Sequence, residues 1–289
     1  MNGTGRPGPA NRPPAAFSAD VEDYFQAEAL REHCPRARWE RFEDRTEANT
    51  DRLLSLLEDA GVQGTFFVLG WTAQRHPGLV RRIAAAGHEI ASHGYDHELL
   101  TRLTEDAFRE DVRRSRGILQ DLSGQPVIGY RAPSYTIVAS TTWALPVLAD
   151  VGYAYDSSVF PIKRRRYGIP DAPRRPHRTA EGRLVEFPLP TVRFGPVNLP
   201  ATGGAYTRLL PLGFQRWAVR RLLHGGIPVV LNVHPWELDP GQPRFPVSVR
   251  TRWTHYHNLD RTEHRVRALL ALAPFQSVAG ALRELGLLS

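Results

Sequence analysis

Apolar residues recur along this chain in two alternating rhythms. Short runs read as strands: Ala15-Ala16-Phe17-Ser18-Ala19, Thr65 to Gly70, His88 to Ser92, Val127 to Tyr130, Tyr153 to Tyr155 and Pro228 to Val233. Each is too short for a buried helix and is bounded by Gly, Pro or polar residues. Between them, apolar residues three and four apart predict helices. The first runs from Thr50 through Leu53, Leu54, Leu56 and Leu57 to an Ala60-Gly61 stop. Others are expected over Pro77 to Ala86, Glu105 to Leu122 with Ser123-Gly124 as its end, Thr141 to Val151 and Leu212 to His224, and two more over about Leu259 to Leu272 and Val278 to Leu285. Strands alternating with helices imply parallel βαβ units. No glycine-rich phosphate fingerprint follows the first strand, which disfavours a nucleotide-binding sheet.

The rhythm fails between about 160 and 211. Pro161, Pro170, Pro173, Pro176, Pro188, Pro190, Pro196 and Pro200 forbid long helices there, while Arg183 to Phe187 and Thr191 to Phe194 are expected to pair as a hairpin. The segment reads as an insertion that shapes a groove. Residues 1 to 15, rich in Gly, Pro, Asn and Arg, carry too little apolar surface to offset their ordering entropy and are expected to form a disordered tail. With 289 residues at 42% hydrophobic, the remainder, 16 to 289, is long enough for one large α/β domain whose C-terminal extension begins near 240.

Composition adds three constraints. The single Cys34 excludes an internal disulfide, and no N-terminal apolar run is long enough for a signal peptide or membrane span. A reducing cytoplasm is therefore the expected compartment. The net charge of +7 is carried almost wholly by arginine, Lys163 being the only lysine. Its densest cluster, Lys163-Arg164-Arg165-Arg166 with Arg174 and Arg175 nearby, lacks interleaved aromatic periodicity. It reads as a solvated loop, and no nucleic-acid partner is expected.

Candidate chemistry gathers where strands end. His93 and His97 emerge behind the His88 to Ser92 strand, and if that segment starts a helix their imidazoles share one face and can grip one ion. Asp20, Glu22 and Asp23 follow the first strand, Arg131 the fourth, and His234 the apolar strand 228 to 233. In barrel-type α/β folds that rim is the catalytic one. Carboxylate, imidazole and guanidinium together form the set expected of metal-assisted hydrolysis. A carboxylate and two neutral imidazoles can hold Zn²⁺, or cobalt, nickel or iron, with positions left for water and substrate. A second carboxylate can take a proton from water, and a histidine can protonate a leaving amine. His88, inside a strand, reads as a core histidine, and Trp71, Trp143 and Trp217 as packing. Trp236, beside His234, offers a face for a pyranose ring. Asp156 is placed either to pair with Arg131 or to cap Ser157-Ser158.

Five segments, in order, carry a family resemblance: Phe17 to Phe25, Thr65-Phe66-Phe67, Ala86 to His97, Gly129-Tyr130-Arg131-Ala132-Pro133-Ser134-Tyr135 and Val233-His234-Pro235-Trp236. They resemble the motifs of polysaccharide deacetylases, the NodB-homology or carbohydrate esterase 4 family. The resemblance implies an α/β fold, a distorted (β/α)7 barrel with a Pro-rich insertion and C-terminal helices, and metal-dependent removal of N-acetyl groups from a glycan or glycan precursor. Asp20 would then be the base, His93 and His97 metal ligands, Arg131 the residue that orients the base, and His234 the acid. A backbone N–H near Tyr135 would face the oxyanion. Where the family has two adjacent aspartates this chain reads Asp20-Val21-Glu22-Asp23, so Glu22 and Asp23 both stand as carboxylate ligand. Asp20 to Phe25, Gly203 to Pro211 and His255 to Leu259 resemble the subgroup found with exosortase (PEP-CTERM) and extracellular-polysaccharide gene clusters, which implies work at the inner membrane face on a lipid-linked or nascent sugar. Two other functions stay open: hydrolysis of a small non-sugar amide, and glycan binding without catalysis.

Overall fold

In the computed structural model, which describes residues 12–289, the first strand sets the frame. The tail expected over 1 to 15 lies outside the described residues up to residue 11, and β1 (Ala15–Val21) already begins at Ala15. The chain continues through α1 (Thr46–Asp59), β2 (Thr65–Val68), α2 (Gly70–Arg75), α3 (Pro77–Ala85), β3 (Glu89–Ser92), α4 (Glu105–Ser123), β4 (Gly129–Tyr130), α5 (Ala144–Val151) and β5 (Tyr155–Asp156). After these come β6 (His177–Thr179), β7 (Leu184–Glu186), β8 (Thr191–Phe194), β9 (Val197–Pro200), α6 (Ala205–Leu209) and α7 (Leu212–His224). The last elements are β10 (Val229–Val233), α8 (Val249–Tyr256), α9 (Thr262–Leu270), β11 (Phe275–Gln276) and α10 (Val278–Glu284).

Parallel pairing runs β10-β1-β2-β3-β4-β5-β7, with β6 antiparallel at the far edge and β11 beside the start of β1. These seven parallel strands form a curled, incompletely closed barrel sheet wrapped by helices, the distorted (β/α)7 architecture. The strand period of two divides it into an outside and an inside. On β1, Ala15, Phe17, Ala19 and Val21 face the helices, in one cluster with Leu53 and Leu57 of α1, Val112 of α4 and Val219 of α7. Ala16, with Phe67, Ala91, Tyr155 and Val230, faces inward onto Val278, Ala281 and Leu282 of α10, which plugs the barrel from below. Continuing the inward register upward from Ala16, Ala91 and Val230 brings Ser18 and Asp20, His93, and Asn232 and His234 to the upper end. The barrel interior is thus apolar at its base and polar at its rim.

Local signals explain the element ends. Thr104 caps α4, its Oγ1 accepting from the Ala107 N–H at 3.2 Å, and Gly124 closes the helix at φ 67°. Gly129 must lack a side chain, because a Cβ there would lie 2.2 Å from the Tyr155 ring.

Four expectations need correction. The hairpin between 183–187 and 191–194 does not form: β7 joins β5 and β6 in the main sheet, and β8 pairs with β9 across Gly195-Pro196. The fifth strand is Tyr155–Asp156 and not Tyr153 to Tyr155, since Tyr153 turns outward and its hydroxyl donates to the Val112 carbonyl at 2.9 Å. Trp217 is 44% exposed rather than packed. His93 and His97 stand on a loop, not a helix, because Gly94 at φ 78° and His97 at φ 54° break any helical path. His88 is a core histidine: its Nδ1 accepts from the Gly64 N–H at 3.0 Å, and burial pushes its pKa down to about 4.

Candidate active site

The rim begins with a carboxylate held from two sides. Asp20 Oδ1 accepts from Arg131 Nη1 at 2.8 Å, and Oδ2 accepts from Asn232 Nδ2 at 2.9 Å. Arg131 is fully buried and each of its three guanidinium nitrogens has a partner: Nη1 also reaches Ser18 Oγ and Asn232 Oδ1, and Nε and Nη2 reach the Ser157 carbonyl and hydroxyl. Phe67 lies beneath the guanidinium, 4.0 Å from its carbon. Burial raises the Asp20 pKa, but Arg131, then His93 and His234, outweigh it and hold the carboxyl below its ordinary value. Asp20 is therefore ionised and fixed in orientation. Asp156 forms no ion pair with Arg131 among the described residues and opens no helix: it accepts from Ser158 Oγ, while Arg131 bonds Ser157.

Glu22, His93 and His97 bring one ligand atom each to within 4.8 Å of one another, and all three are buried. His93 Nδ1 lies 2.8 Å from the Arg131 carbonyl, so Nδ1 carries the hydrogen and Nε2 keeps its lone pair. Burial pushes the His93 pKa down to about 4, which keeps the ring neutral. Glu22 Oε2 is a buried acceptor without a hydrogen-bond partner, 2.9 Å from His97 Nε2. One carboxylate charge, two imidazole nitrogens and an orphaned oxygen fit a divalent ion of the zinc type.

Asp23 does not join this group. Past Val21 the chain turns, the Glu22 N–H donating to the Asp20 carbonyl at 3.0 Å, and Glu22 stays on the side of Asp20. Asp23 instead opens the helical turn Tyr24–Gln26: Oδ1 accepts from the Tyr24 N–H at 2.7 Å, and Oδ2 from the Arg45 N–H at 2.6 Å. Burial pushes its pKa up to about 7. Of the two carboxylates left open in the sequence, Glu22 is the one that lies with His93 and His97.

His234 faces the same space. Its Nε2 lies 3.6 Å from Asp20 Oδ2 and 3.5 Å from Glu22 Oε1. Behind it, Nδ1 and the backbone N–H both meet Glu237 Oε2, at 3.0 and 2.9 Å, and Glu237 Oε1 accepts from Arg208 Nε at 2.6 Å. Burial lowers the His234 pKa, yet Glu237 and Glu22 override it and push it up to about 9. A histidine charged at neutral pH with Nε2 forward can deliver a proton.

Two expected substrate contacts are differently employed. Trp236 is 5% exposed, stacked between His234 and His255 with ring centroids at 5.4 and 4.4 Å, and its Nε1 donates to Glu22 Oε1 at 3.1 Å. It steadies the carboxylate instead of offering a face to a sugar. Tyr135 Oη accepts from Asn232 Nδ2 at 2.8 Å, and the Tyr135 N–H donates to the Ala132 carbonyl at 3.0 Å, so that N–H is already committed. Ser134 and Tyr135 both hold positive φ, at 52° and 56°, strain concentrated where the rim turns. Asn232, Glu237 and Arg208 went unnoticed in the sequence. A polar residue inside the apolar run 229–233 and a carboxylate three residues past His234 were the available signals.

Replacing Trp236 by Phe keeps the ring and deletes the N–H to Glu22. Zinc affinity, titrated into metal-free protein, is expected to fall about 10- to 100-fold with the fold retained. An unchanged affinity would deny the indole any part in orienting Glu22.

Residues 34–155 match the family model described as Polysaccharide deacetylase, and residues 157–283 one described as Domain of unknown function (DUF3473). The site draws on both segments, His93, His97 and Arg131 from the first and Arg208, Asn232, His234 and Glu237 from the second, while Asp20 and Glu22 precede them. A peptidoglycan-N-acetylglucosamine deacetylase of Bacillus cereus is 39% identical over 75 residues, 26% of this chain and 27% of that protein. A chitooligosaccharide deacetylase of Rhizobium leguminosarum bv. trifolii is 39% identical over 66 residues, 23% of this chain and 31% of that protein. The chain thus spans about a third or less of these curated relatives' length. Among solved structures, a putative polysaccharide deacetylase from Mycobacterium smegmatis superposes with a TM-score of 0.66 at 25% identity, covering 98% of this chain and 94% of that one. The fold is also that of Puue allantoinase, TM-score 0.63 at 14% identity, with 96% and 91% covered.

Proposed function

We propose that this chain, which carries a polysaccharide deacetylase domain of the NodB-homology type, is a metal-dependent hydrolase that removes N-acetyl groups from an N-acetylated glycan or glycan precursor. The observation that carries the reading is one rim holding three parts: the Glu22, His93 and His97 triad, the Asp20 carboxylate fixed by Arg131 and Asn232, and His234 backed by Glu237. When bound by the triad, a divalent ion supplies Lewis acidity to a carbonyl and to water. Asp20 takes the proton as water adds to the amide carbon. His234 then gives its Nε2 proton to the departing nitrogen, so acetate and a free amine result. Arg131 and Asn232 keep Asp20 ionised and aimed, and Glu237 keeps the His234 proton at Nε2. The DUF3473 match over 157–283 is compatible with the exosortase-associated subgroup, which remains part of this proposal, as does a cytoplasmic location, to be checked by fractionation.

One observation favours a second reading, hydrolysis of a small non-sugar amide. Phe160, Tyr167 and Tyr206 pack around Tyr135 beside the rim, and a Cβ on Gly204 would lie 3.6 Å from the His234 ring. The 160–211 segment and α6 thus wall one side of the site. Acetate release from a panel of N-acetylated saccharides of increasing length, set against small amides and run with and without chelator, separates the two. Chelator-sensitive acetate release from saccharides is the expected result. Turnover confined to small amides would replace the glycan reading, and turnover indifferent to exhaustive chelation would remove the metal.

A further inference from the structure

Five arginines, Arg174, Arg193, Arg216, Arg220 and Arg221, line one groove of about 930 Å³ between α7 and the β8–β9 hairpin, with Trp217 in its wall. No residue of the catalytic rim and no carboxylate lines it. Arginines elsewhere on this surface, such as Arg31, Arg52, Arg82 and Arg102, each meet a carboxylate within 3.1 Å. The five in the groove form no ion pair among the described residues: Arg174 donates to Thr191, Arg193 to the Gly195 carbonyl at 3.3 Å, and Arg221 lies 5.7 Å from the Trp217 ring. Burial and the nearby Arg193 and Arg175 push the Arg174 guanidinium below its usual pKa. Like charges gathered without counter-charge mark a surface that gains when an anion arrives.

The hairpin beside this groove ends in bare apolar side chains. Phe194 and Val197 face each other across the Gly195-Pro196 turn and are 71% and 54% exposed. Leu199, opposite Val192, extends the strip. A single-stranded nucleic acid would call for a series of aromatic faces along the charged groove on which successive bases could stack, and among the described residues Trp217 is the one Trp, Tyr or Phe that lines it. Here the apolar pair instead projects at a tip next to the charge. That pairing of a wedge with guanidinium groups, which bind phosphate oxygens in a bidentate fork, suits a lipid interface. We propose that this face docks on a bilayer rich in anionic phospholipid, the groove arginines taking lipid phosphates while Phe194 and Val197 enter the headgroup–acyl boundary. The inference stands apart from the deacetylation reading and goes beyond it.

Co-sedimentation of the full chain with vesicles tests it, comparing phosphatidylglycerol mixed with phosphatidylcholine against phosphatidylcholine alone. Binding is expected to the anionic vesicles only and to weaken in high salt. Arg216→Ala with Arg220→Ala should weaken it about 25-fold, roughly fivefold for each arginine near the surface. Phe194→Ser with Val197→Ser should weaken it with charge unchanged, and because both positions are exposed this variant keeps the test intact if the arginine variant melts early. Equal binding to neutral vesicles would overturn the proposal, as would full binding by both variants. So would a nucleic acid that displaces the vesicles with an affinity indifferent to the Phe194 and Val197 changes.

Discussion

His97→Asn and Glu22→Gln are each expected to give a folded protein that no longer retains a divalent ion and no longer releases acetate. His97 sits at φ 54°, a conformation that asparagine tolerates better than most residues, so the loop can keep its path. The amide is a poor substitute for an imidazole lone pair. Glu22→Gln is nearly isosteric and can still accept from Trp236 Nε1, yet it removes the one negative charge of the triad. Two measurements separate loss of the ion from loss of the fold. Metal analysis after dialysis should fall from about one equivalent to near zero in each variant. Melting without metal should match the parent, while added zinc should raise the melting temperature of the parent alone, since binding at 100 times Kd adds about 2.7 kcal/mol to the native state. Unchanged stoichiometry in both variants would remove the triad from the mechanism.

What the sequence revealed of this site follows a physical division. Residues announced by local pattern were legible: a short strand from Ala15 to Ala19, an apolar run before His234 and a histidine pair at a fixed spacing. The period of two puts Asp20 and Glu22 on one side when the strand holds, whereas a strand ending at Asp20 would free Asp23 to turn inward, so local pattern left the two carboxylates even. What local pattern could not reveal was partnership at long range. Asn232 reads as an unremarkable strand residue until β10 is laid beside β1, where Ser18 faces it in register. Arg208 carries no signal of its own within the Gly203 to Pro211 segment, yet it is fully buried between Glu237 and the carbonyls of Thr254, His255 and His257. β6 carries no apolar periodicity and is placed only by its antiparallel ladder with β7, which is why the expected hairpin chose the wrong partner. Trp236 was misread for the same reason, since nothing nearby in sequence predicts that Glu22 and His255 will cover it.

The second large effect is expected at the Arg208–Glu237–His234 chain. His234→Asn should lower turnover about 10² to 10⁴-fold while the ion stays bound, as should Asp20→Asn from the base side. For the intact enzyme the rate should follow a bell. The acid limb reflects Asp20, held below its ordinary pKa, so activity falls only as pH drops far into the acid range and the carboxylate is protonated. The alkaline limb reflects His234: an acid must carry its proton, so activity is full below its pKa and lost as pH rises through about 9. Glu237→Gln removes the charge that does most to raise His234, so the alkaline limb should move down toward the ordinary histidine value near 6.5 while the acid limb stays. The single change also strands Arg208, fully buried and unpaired, at a cost of about 3 to 5 kcal/mol. Pairing it with Arg208→Met withdraws that buried charge and should recover part of the stability without restoring the alkaline limb. If Glu237 served stability alone, the double variant would regain both melting temperature and the parental pH profile. A His234→Asn protein with near-normal turnover would end its assignment as the acid, and an Asp20→Asn protein that lost its ion would make Asp20 a ligand rather than the base.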